Sequence, residues 1–229
     1  MDIVYFLKEN SNGEELRYSL RSLKNFPHNR VWLYGGCPKW LNKSALTHIW
    51  VRQDKPDKWK NTAMLLEEVS KNDDITEDFV WFNDDFFVMK KIVELPYYRD
   101  RTLEDRINDF STHLSSRYSM RLREADRALK NSGKPTNNFE LHIPFIFNRA
   151  KLLEVIKRYP GVGAKRSLYG NTFVEESIPR QDVKIYTVNE KPTGEEDFIS
   201  TSDRSFLLGE VGKYLKNKFR SRSIFELTS

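Results

Sequence analysis

The chain has 229 residues, 38 % hydrophobic, 31 % charged and 13 % aromatic, which suits one sizeable domain with a packed core and excludes wholesale disorder. No run approaches the roughly 20 apolar residues of a membrane span. Met1 leads into a strand-like segment rather than a signal peptide, and the single cysteine, Cys37, excludes an internal disulfide and a thiolate zinc cluster. That usage fits a reducing, cytoplasmic setting, while the net charge of +5 leans toward anionic partners without naming one.

Asp2 to Leu7 (DIVYFL) reads as a buried strand. Glu14 to Asn25 reads as a helix with Leu16, Leu20 and Leu23 on one face, and its start carries capping-box spacing twice, Ser11 with Glu14 and Asn12 with Glu15. Val31 to Tyr34 and His48 to Val51 are further strands, the first closed by Gly35-Gly36 and Pro38. Asn61 to Lys71 is a helix that turns Met64, Leu65 and Val69 inward. Phe79 to Phe82 is a strand running into Asn83-Asp84-Asp85. The order β-α-β-β-α-β predicts an α/β fold, a mostly parallel sheet flanked by helices. Ligands of such sheets sit outside the carboxyl ends of strands, where both Lys8 to Gly13 and Asn83 to Asp85 fall.

Past Tyr98 the character changes, dividing the chain into 1–98 and 99–229 within one compact domain. Residues 99 to 134 carry nine Arg/Lys and six Asp/Glu, the mark of a solvated helical excursion. Glu140 to Asn148 returns to core-like composition, and a helix runs from about Arg149 to Tyr159. Gly161 to Gly170 reads as a glycine-dotted basic turn and 189 to 205 as a polar loop. The last helix ends in a basic run, KYLKNKFRSR.

The chemistry concentrates in Phe82-Asn83-Asp84-Asp85-Phe86-Phe87. Adjacent carboxylates ending an apolar strand need a compensating charge, and a divalent magnesium or manganese ion supplies it while bridging to a diphosphate. The alternative is a tight turn with Asp84 as a cap and Asp85 solvated; the aromatic framing on both sides favours the first reading. His142, inside an apolar run, reads as general base, proton donor, metal ligand or hydrogen-bonded core residue. His28, His48 and His113 offer little. Lys165 and Arg166 read as phosphate contacts or an ordinary loop, and Lys58 to Asn61 as an anion-attracting helix start or a solvated one. No Walker loop, no G-x-G-x-x-G and no G-x-S-x-G elbow follows any strand, which argues against kinase-like, nicotinamide-dependent and serine-hydrolase chemistry.

Several blocks occur in the order of a known family. Glu15 to Leu23 (ELRYSLRSL), Pro38 to Asn42 (PKWLN) and Phe82 to Phe86 (FNDDF) resemble the Stealth family, sugar-phosphate transferases of capsule synthesis and lysosomal-enzyme tagging. Asp2 to Tyr5 is similar to that family's opening strand and His142-Ile143-Pro144 to its histidine block. With Lys165 to Asn171 (KRSLYGN) and Ser200 to Phe206 (STSDRSF) the chain resembles small phage and prophage glycosyltransferases more closely still. The chain departs from true Stealth proteins in reading Phe6-Leu7-Lys8 after its opening strand and in being shorter than most members.

The resemblance implies a GT-A-like nucleotide-sugar site with a smaller carboxy-terminal acceptor-side portion: 1–98 would bind the donor and 99–229 the acceptor. It implies Asp84 and Asp85 as metal and diphosphate residues for Mn2+ or Mg2+, with Asp85 in the catalytic set beside Glu15, His142 and Arg166. Asp2, Lys8 and Ser11 would hold the nucleotide base, and Lys60, Asn61, Asn83, Lys165 and Asn171 other parts of the substrate. The implied activity is glycosyl transfer from a UDP- or GDP-sugar to a hydroxyl on a surface glycan or on hydroxymethylated DNA, in a host cytoplasm for a phage enzyme. The alternatives are transfer of sugar-1-phosphate, as Stealth enzymes do, and a non-catalytic nucleic-acid-binding module resting on the basic runs.

Overall fold

The computed structural model describes residues 1–55, 57–109 and 116–228; His113 lies outside them. In chain order the elements are β1 (Asp2–Leu7), α1 (Glu14–Ser22), β2 (Val31–Gly35), β3 (Thr47–Ile49), α2 (Lys58–Lys71), β4 (Asp78–Asn83), β5 (Phe86–Val88), β6 (Tyr98–Arg99), α3 (Leu103–Asn108) and α4 (Ser116–Asn131). Then follow β7 (Phe145–Asn148), α5 (Arg149–Arg158), α6 (Lys165–Phe173), β8 (Ile178–Pro179), β9 (Lys184–Ile185), β10 (Phe198–Thr201), α7 (Asp203–Leu208) and α8 (Glu210–Lys218).

The central sheet runs β3-β2-β1-β4-β7, its first four strands parallel and β7 antiparallel at the edge. The period-two alternation of each strand buries both faces. Val4, Trp32, Phe79 and Trp81 pack against α2, α4, α5 and α6, while Ile3, Tyr5, Leu33, Val80 and Phe82 pack against α1. The chain builds β1, β2 and β3 in one direction, and α2 then returns it to the far side of β1 for β4. The order therefore reverses between β1 and β4, and Phe6 lies in register with Asn83 at the carboxyl edge of that junction. A crevice at such a reversal is where open α/β sheets bind ligands.

A second sheet, β5-β10-β9, grows out of this edge. Asp84 and Asp85 form the turn on which the chain leaves β4 and enters β5. Phe86 and Val88 face the α1 side, whereas Phe87 and Met89 join Phe206, Val211 and Leu215 beneath α7 and α8.

Several local expectations change. The helix start at Glu14 carries no capping box: Gly13 occupies the cap in a left-handed conformation (φ 65°), Ser11 Oγ accepts from the Gly13 amide and Asn12 Oδ1 from the Glu14 amide. The side chain of Glu15 is thereby left for other use. Helix α2 starts three residues earlier than its apolar pattern shows, capped by Asp57, which accepts from the Lys60 amide at 2.9 Å. Gly161 to Gly170 is no flexible turn, since Lys165 begins a nearly fully buried helix whose Gly170 lets the Phe139 ring approach closer than a Cβ would permit. The segment 189–205 is not wholly loop either, because Phe198–Thr201 is a buried strand. The excursion after Tyr98 does contain helices, and α4 is anchored by Leu122, Ala125 and Leu129 in the main core.

Candidate active site

The acidic turn is held in place from below. Glu15, Ser19 and Ser22 stand at i, i+4 and i+7 on one face of α1. Ser19 Oγ hydrogen-bonds the Phe86 carbonyl and Tyr5 Oη, and Ser22 Oγ accepts from the Val88 amide at 3.0 Å. These bonds pin α1 to β5 and carry Glu15, one turn above, to the end of β10, where Thr201 Oγ1 donates to its Oε1 at 2.6 Å. Burial pushes the Glu15 carboxyl up to about 8; the Thr201 hydrogen bond opposes this, and the charges of Asp85, Asp84 and Asp203 add to it. At neutral pH Glu15 is a protonated, hydrogen-bond-donating carboxyl.

The two aspartates of the turn differ. Asp85 is buried, and its Oδ2 accepts from Lys184 Nζ at 2.7 Å and from Ser200 Oγ at 2.9 Å. The strand register explains the convergence: Ser200 pairs with Lys184 on one side and with Phe86 on the other, so a row across the small sheet ends at Asp85. Asp84 accepts no hydrogen bond from another side chain among the described residues. Burial, and next the charge of Asp85, push it up to about 7, with its own amide and Lys184 pulling it down.

Arg166, on α6, brings a second cation. It is buried, with its guanidinium carbon 4.0 Å from the centroid of Trp81 and 5.5 Å from that of Phe86. Nη1 donates to the Leu141 carbonyl at 3.1 Å and Nη2 reaches Asn83 Oδ1 at 3.5 Å, while Nε is buried without a partner among the described residues. Burial lowers its pKa, against the pull of Glu140, Tyr118, Asp85 and Asp182.

His142 packs edge-on against the other side of this group, its ring centroid 6.4 Å from that of Phe86. Asp182 grips it twice, through the His142 amide at 2.8 Å and through Nδ1 at 2.7 Å. Burial would raise the Asp182 carboxyl, but the hydrogen bonds and charge of His142 outweigh it and hold Asp182 below the usual carboxylate range. The pair fixes the ring with Nδ1–H on Asp182 and leaves Nε2 for proton transfer.

Glu15, Asn83, Asp84, Asp85, His142 and Arg166 are thus brought together. Lys8 and Ser11 lie on the loop after β1, at the same edge of the sheet, with Lys8 exposed and its carbonyl accepting from the Ser11 amide. That loop is fastened to the β3 side by Gln53, which donates to the Leu7 carbonyl and to Glu9.

Asp2 is not brought there. It sits at the amino end of β1, and its carboxylate is filled by Trp32 Nε1, Thr76 N, Arg30 N and the Arg30 guanidinium. Lys165 points away from Arg166 to donate to the Tyr159 carbonyl at 3.1 Å, and Asn171 clasps the Asn137 backbone and the Ser167 carbonyl. Lys60 is exposed, Asn61 is spent on both backbone groups of Lys55, and the anion at this helix start is the protein's own Asp57, paired with Arg121 at 2.9 Å. Among the described residues no hydrogen bond or ion pair joins Lys60, Asn61, Lys165 or Asn171 to the acidic turn.

The sequence reading missed Asp182, Lys184, Ser200 and Thr201. Their segments are short and lie between 40 and 186 positions from their partners, so no local period marks them. Two signals were available: the resemblance block that begins at Ser200 and contains Thr201, and the polar stripe Glu15, Ser19, Ser22 beside the leucine stripe of α1.

Magnesium is commonly held by one or two carboxylates completed by substrate phosphates. Asp84 and the remaining oxygen of Asp85 fit that partial donor set. Among the described residues, no three His, Cys, Asp or Glu side chains form a cage for a metal.

The fold and the site define an α/β protein whose mostly parallel sheet presents an acidic turn, two cations and a histidine–aspartate pair in one crevice. No family model matches the chain, and no curated protein matches it. Among solved structures it is similar to the galactosyltransferase LgtC in complex with donor and acceptor sugar analogues, at TM-score 0.42 and 11 % identity over 76 % of this chain and 70 % of that one. An active-site mutant of LgtC gives 0.43 and 9 % over the same shares. The apo form of the glycosyltransferase GlyE of Streptococcus pneumoniae TIGR4 gives 0.47 and 10 %, over 96 % of this chain and 60 % of that one, so this chain spans less than two thirds of GlyE. No helix among the described residues is long and apolar enough to cross a membrane.

Proposed function

We propose that this protein moves a sugar from a nucleotide-sugar donor to a hydroxyl acceptor, on the crevice at the carboxyl ends of β1 and β4. The observation that carries the reading is the convergence, on one acidic turn, of two cations, a protonated carboxyl and an oriented histidine drawn from four separate segments. A structural turn needs none of these.

The donor's base lies over the Lys8–Ser11 loop and its diphosphate over Asn83 and Arg166. Arg166 is held rigid by two aromatic faces and the Leu141 carbonyl, so its charge meets the departing phosphate without reorganising. A magnesium or manganese ion held by Asp84 and Asp85 supplies further positive charge to the diphosphate when bound. His142 Nε2 takes the proton of the acceptor hydroxyl, and Asp182 stabilises the imidazolium that results. Glu15, protonated at neutral pH, donates a hydrogen bond to the sugar or the leaving oxygen. Residues 1–98 supply the base loop and the acidic turn, while 99–229 supply Arg166 to the donor's diphosphate and His142 to the acceptor.

The test is a panel of UDP- and GDP-sugars with and without manganese, read by thermal shift and by product analysis. A bound donor must raise the melting temperature, and slow turnover onto water is expected to release nucleoside diphosphate. Release of nucleoside monophosphate would instead assign sugar-1-phosphate transfer, and a panel that shifts nothing and yields no product overturns the reading. Asp182→Asn is expected to lower turnover by at least about a hundredfold with little change in donor affinity, because the ring loses its orienting carboxylate.

A further inference from the structure

The Lys184–Asp85 pair neutralises a buried carboxylate, yet it commits only part of what Lys184 can donate. An ion pair taken largely out of water commonly repays little more than its own desolvation, and the Lys184 side chain is only 16 % exposed. It hangs from β9, a two-residue edge strand held to β10 on one side only. Nothing but Asp85 accepts a hydrogen bond from its Nζ among the described residues, so one of three N–H donors is used and two remain.

The charges at the turn sharpen the point. Asp84 and Asp85 face Lys184 and Arg166, so the four side chains balance when all are ionised, and a diphosphate arriving there meets no net repulsion. Arg166 is immobile, wedged between rings. Lys184 is a compact charge on a flexible four-carbon stem, able to swing toward a new anion while keeping contact with the old one.

Resting on the reading of this crevice as a nucleotide-sugar site, we infer that Lys184 is a diphosphate-binding residue: its ammonium, parked on Asp85 in the free protein, is shared with the donor's diphosphate, and it lets the diphosphate bind without a divalent ion. The ion adds affinity through Asp84 but is not the entry requirement.

The experiment is a calorimetric titration with uridine, guanosine, UDP and GDP, each in EDTA and each in manganese, on the unmodified protein, Lys184→Met and Lys184→Arg. The expected result is that the unmodified protein binds one nucleoside diphosphate in EDTA at least tenfold more tightly than its nucleoside. Lys184→Met is expected to lose that preference in EDTA while keeping nucleoside affinity, and Lys184→Arg to retain most of it. Diphosphate binding that vanishes in EDTA and returns with manganese in the unmodified protein overturns the inference while leaving the transferase reading standing. So does a Lys184→Met protein with an unchanged preference. Should neither nucleosides nor diphosphates bind with or without manganese, the transferase reading falls and this inference falls with it. The measurement in EDTA on the unmodified protein decides the matter even where Lys184→Met does not fold.

Discussion

The two ends of the parallel sheet each hold an aspartate, Asp2 fully buried and Asp84 half-buried, and the protein treats them in opposite ways. At the amino end Asp2 collects four donors from three residues on two segments. Burial alone would raise its pKa, yet hydrogen bonds from Trp32, Arg30 and Thr76 and the charge of Arg30 hold it below the usual range. At the carboxyl end Asp84 has no such side-chain donors among the described residues, and burial beside Asp85 pushes it up to about 7. The same side chain is a finished joint at one edge and an unfinished one at the other. The lesson is that burial does not mark a functional carboxylate; burial without enough partners does.

Removing the finished joint is the most severe way to break this contrast. Asp2→Ala leaves the Trp32 indole N–H and the Arg30 and Thr76 amides without their acceptor, while the half-exposed Arg30 guanidinium turns to water, and the expected loss is about 2–4 kcal/mol of folding stability. Thermal or denaturant unfolding measures it, with donor binding intact for the fraction that folds. Because the folded-state pKa lies below that of the free side chain, the contribution is present above about pH 4 and fades as the pH drops through the lowered value.

Glu15 gives the opposite sign. Its folded-state value of about 8 lies above the ordinary 4.5, so the folded chain binds the extra proton and stability falls as the pH rises from 4.5 to about 8. Glu15→Gln keeps the contact with Thr201 and removes that liability. The expected gain, measured in EDTA so that no added ion neutralises the turn, is roughly 2–4 kcal/mol at pH 8 and nothing at pH 4. Transfer should drop sharply in the same variant. Loss of stability at pH 8 would show that Glu15 belongs to the finished end of the comparison.

How far this division could be seen in advance depends on the reach of each contact. The four parallel strands announced themselves because a short apolar run is a local signal, and the acidic turn stood out because Phe82 and Phe86 bracket charges at a strand end. Asp2 was legible as a buried residue but not as a structural one, since the amino and carboxyl ends of a strand look alike until the partners of Trp32 and Thr76 are known. Arg166 was reached through family resemblance, while the glycines before it suggested a loop; a left-handed Ala164 (φ 55°) starts a helix there instead. Lys184 was beyond reach, and Ser200 stood only inside a block of family resemblance, without a role. Their meaning comes from register across a three-stranded sheet in which β9 contributes two residues, too few to carry any pattern.

Lys165 offers the mildest test, because it is the neighbour of a site residue yet belongs to neither edge of the sheet. Its ammonium is buried, with the Tyr159 carbonyl as its one hydrogen-bond partner among the described residues, and burial lowers its pKa from 10.5 to about 8 against the pull of Glu140 and Glu67. The unfolded chain therefore holds the proton more tightly than the folded one between pH 8 and 10.5. By linkage, stability contributed at this position rises with pH across that window and is at its poorest below 8. Lys165→Met removes the charge, fills much the same space and leaves the Tyr159 carbonyl unpaired, which offsets part of the gain. The net expectation is about 1–2 kcal/mol of added stability at pH 7, shrinking to nothing or reversing by pH 10.5, with donor binding unchanged throughout. Paired unfolding curves at the two pH values measure it. A variant that weakens diphosphate binding would place Lys165 beside Arg166 in the crevice after all, and α6 would then present two cations there rather than one.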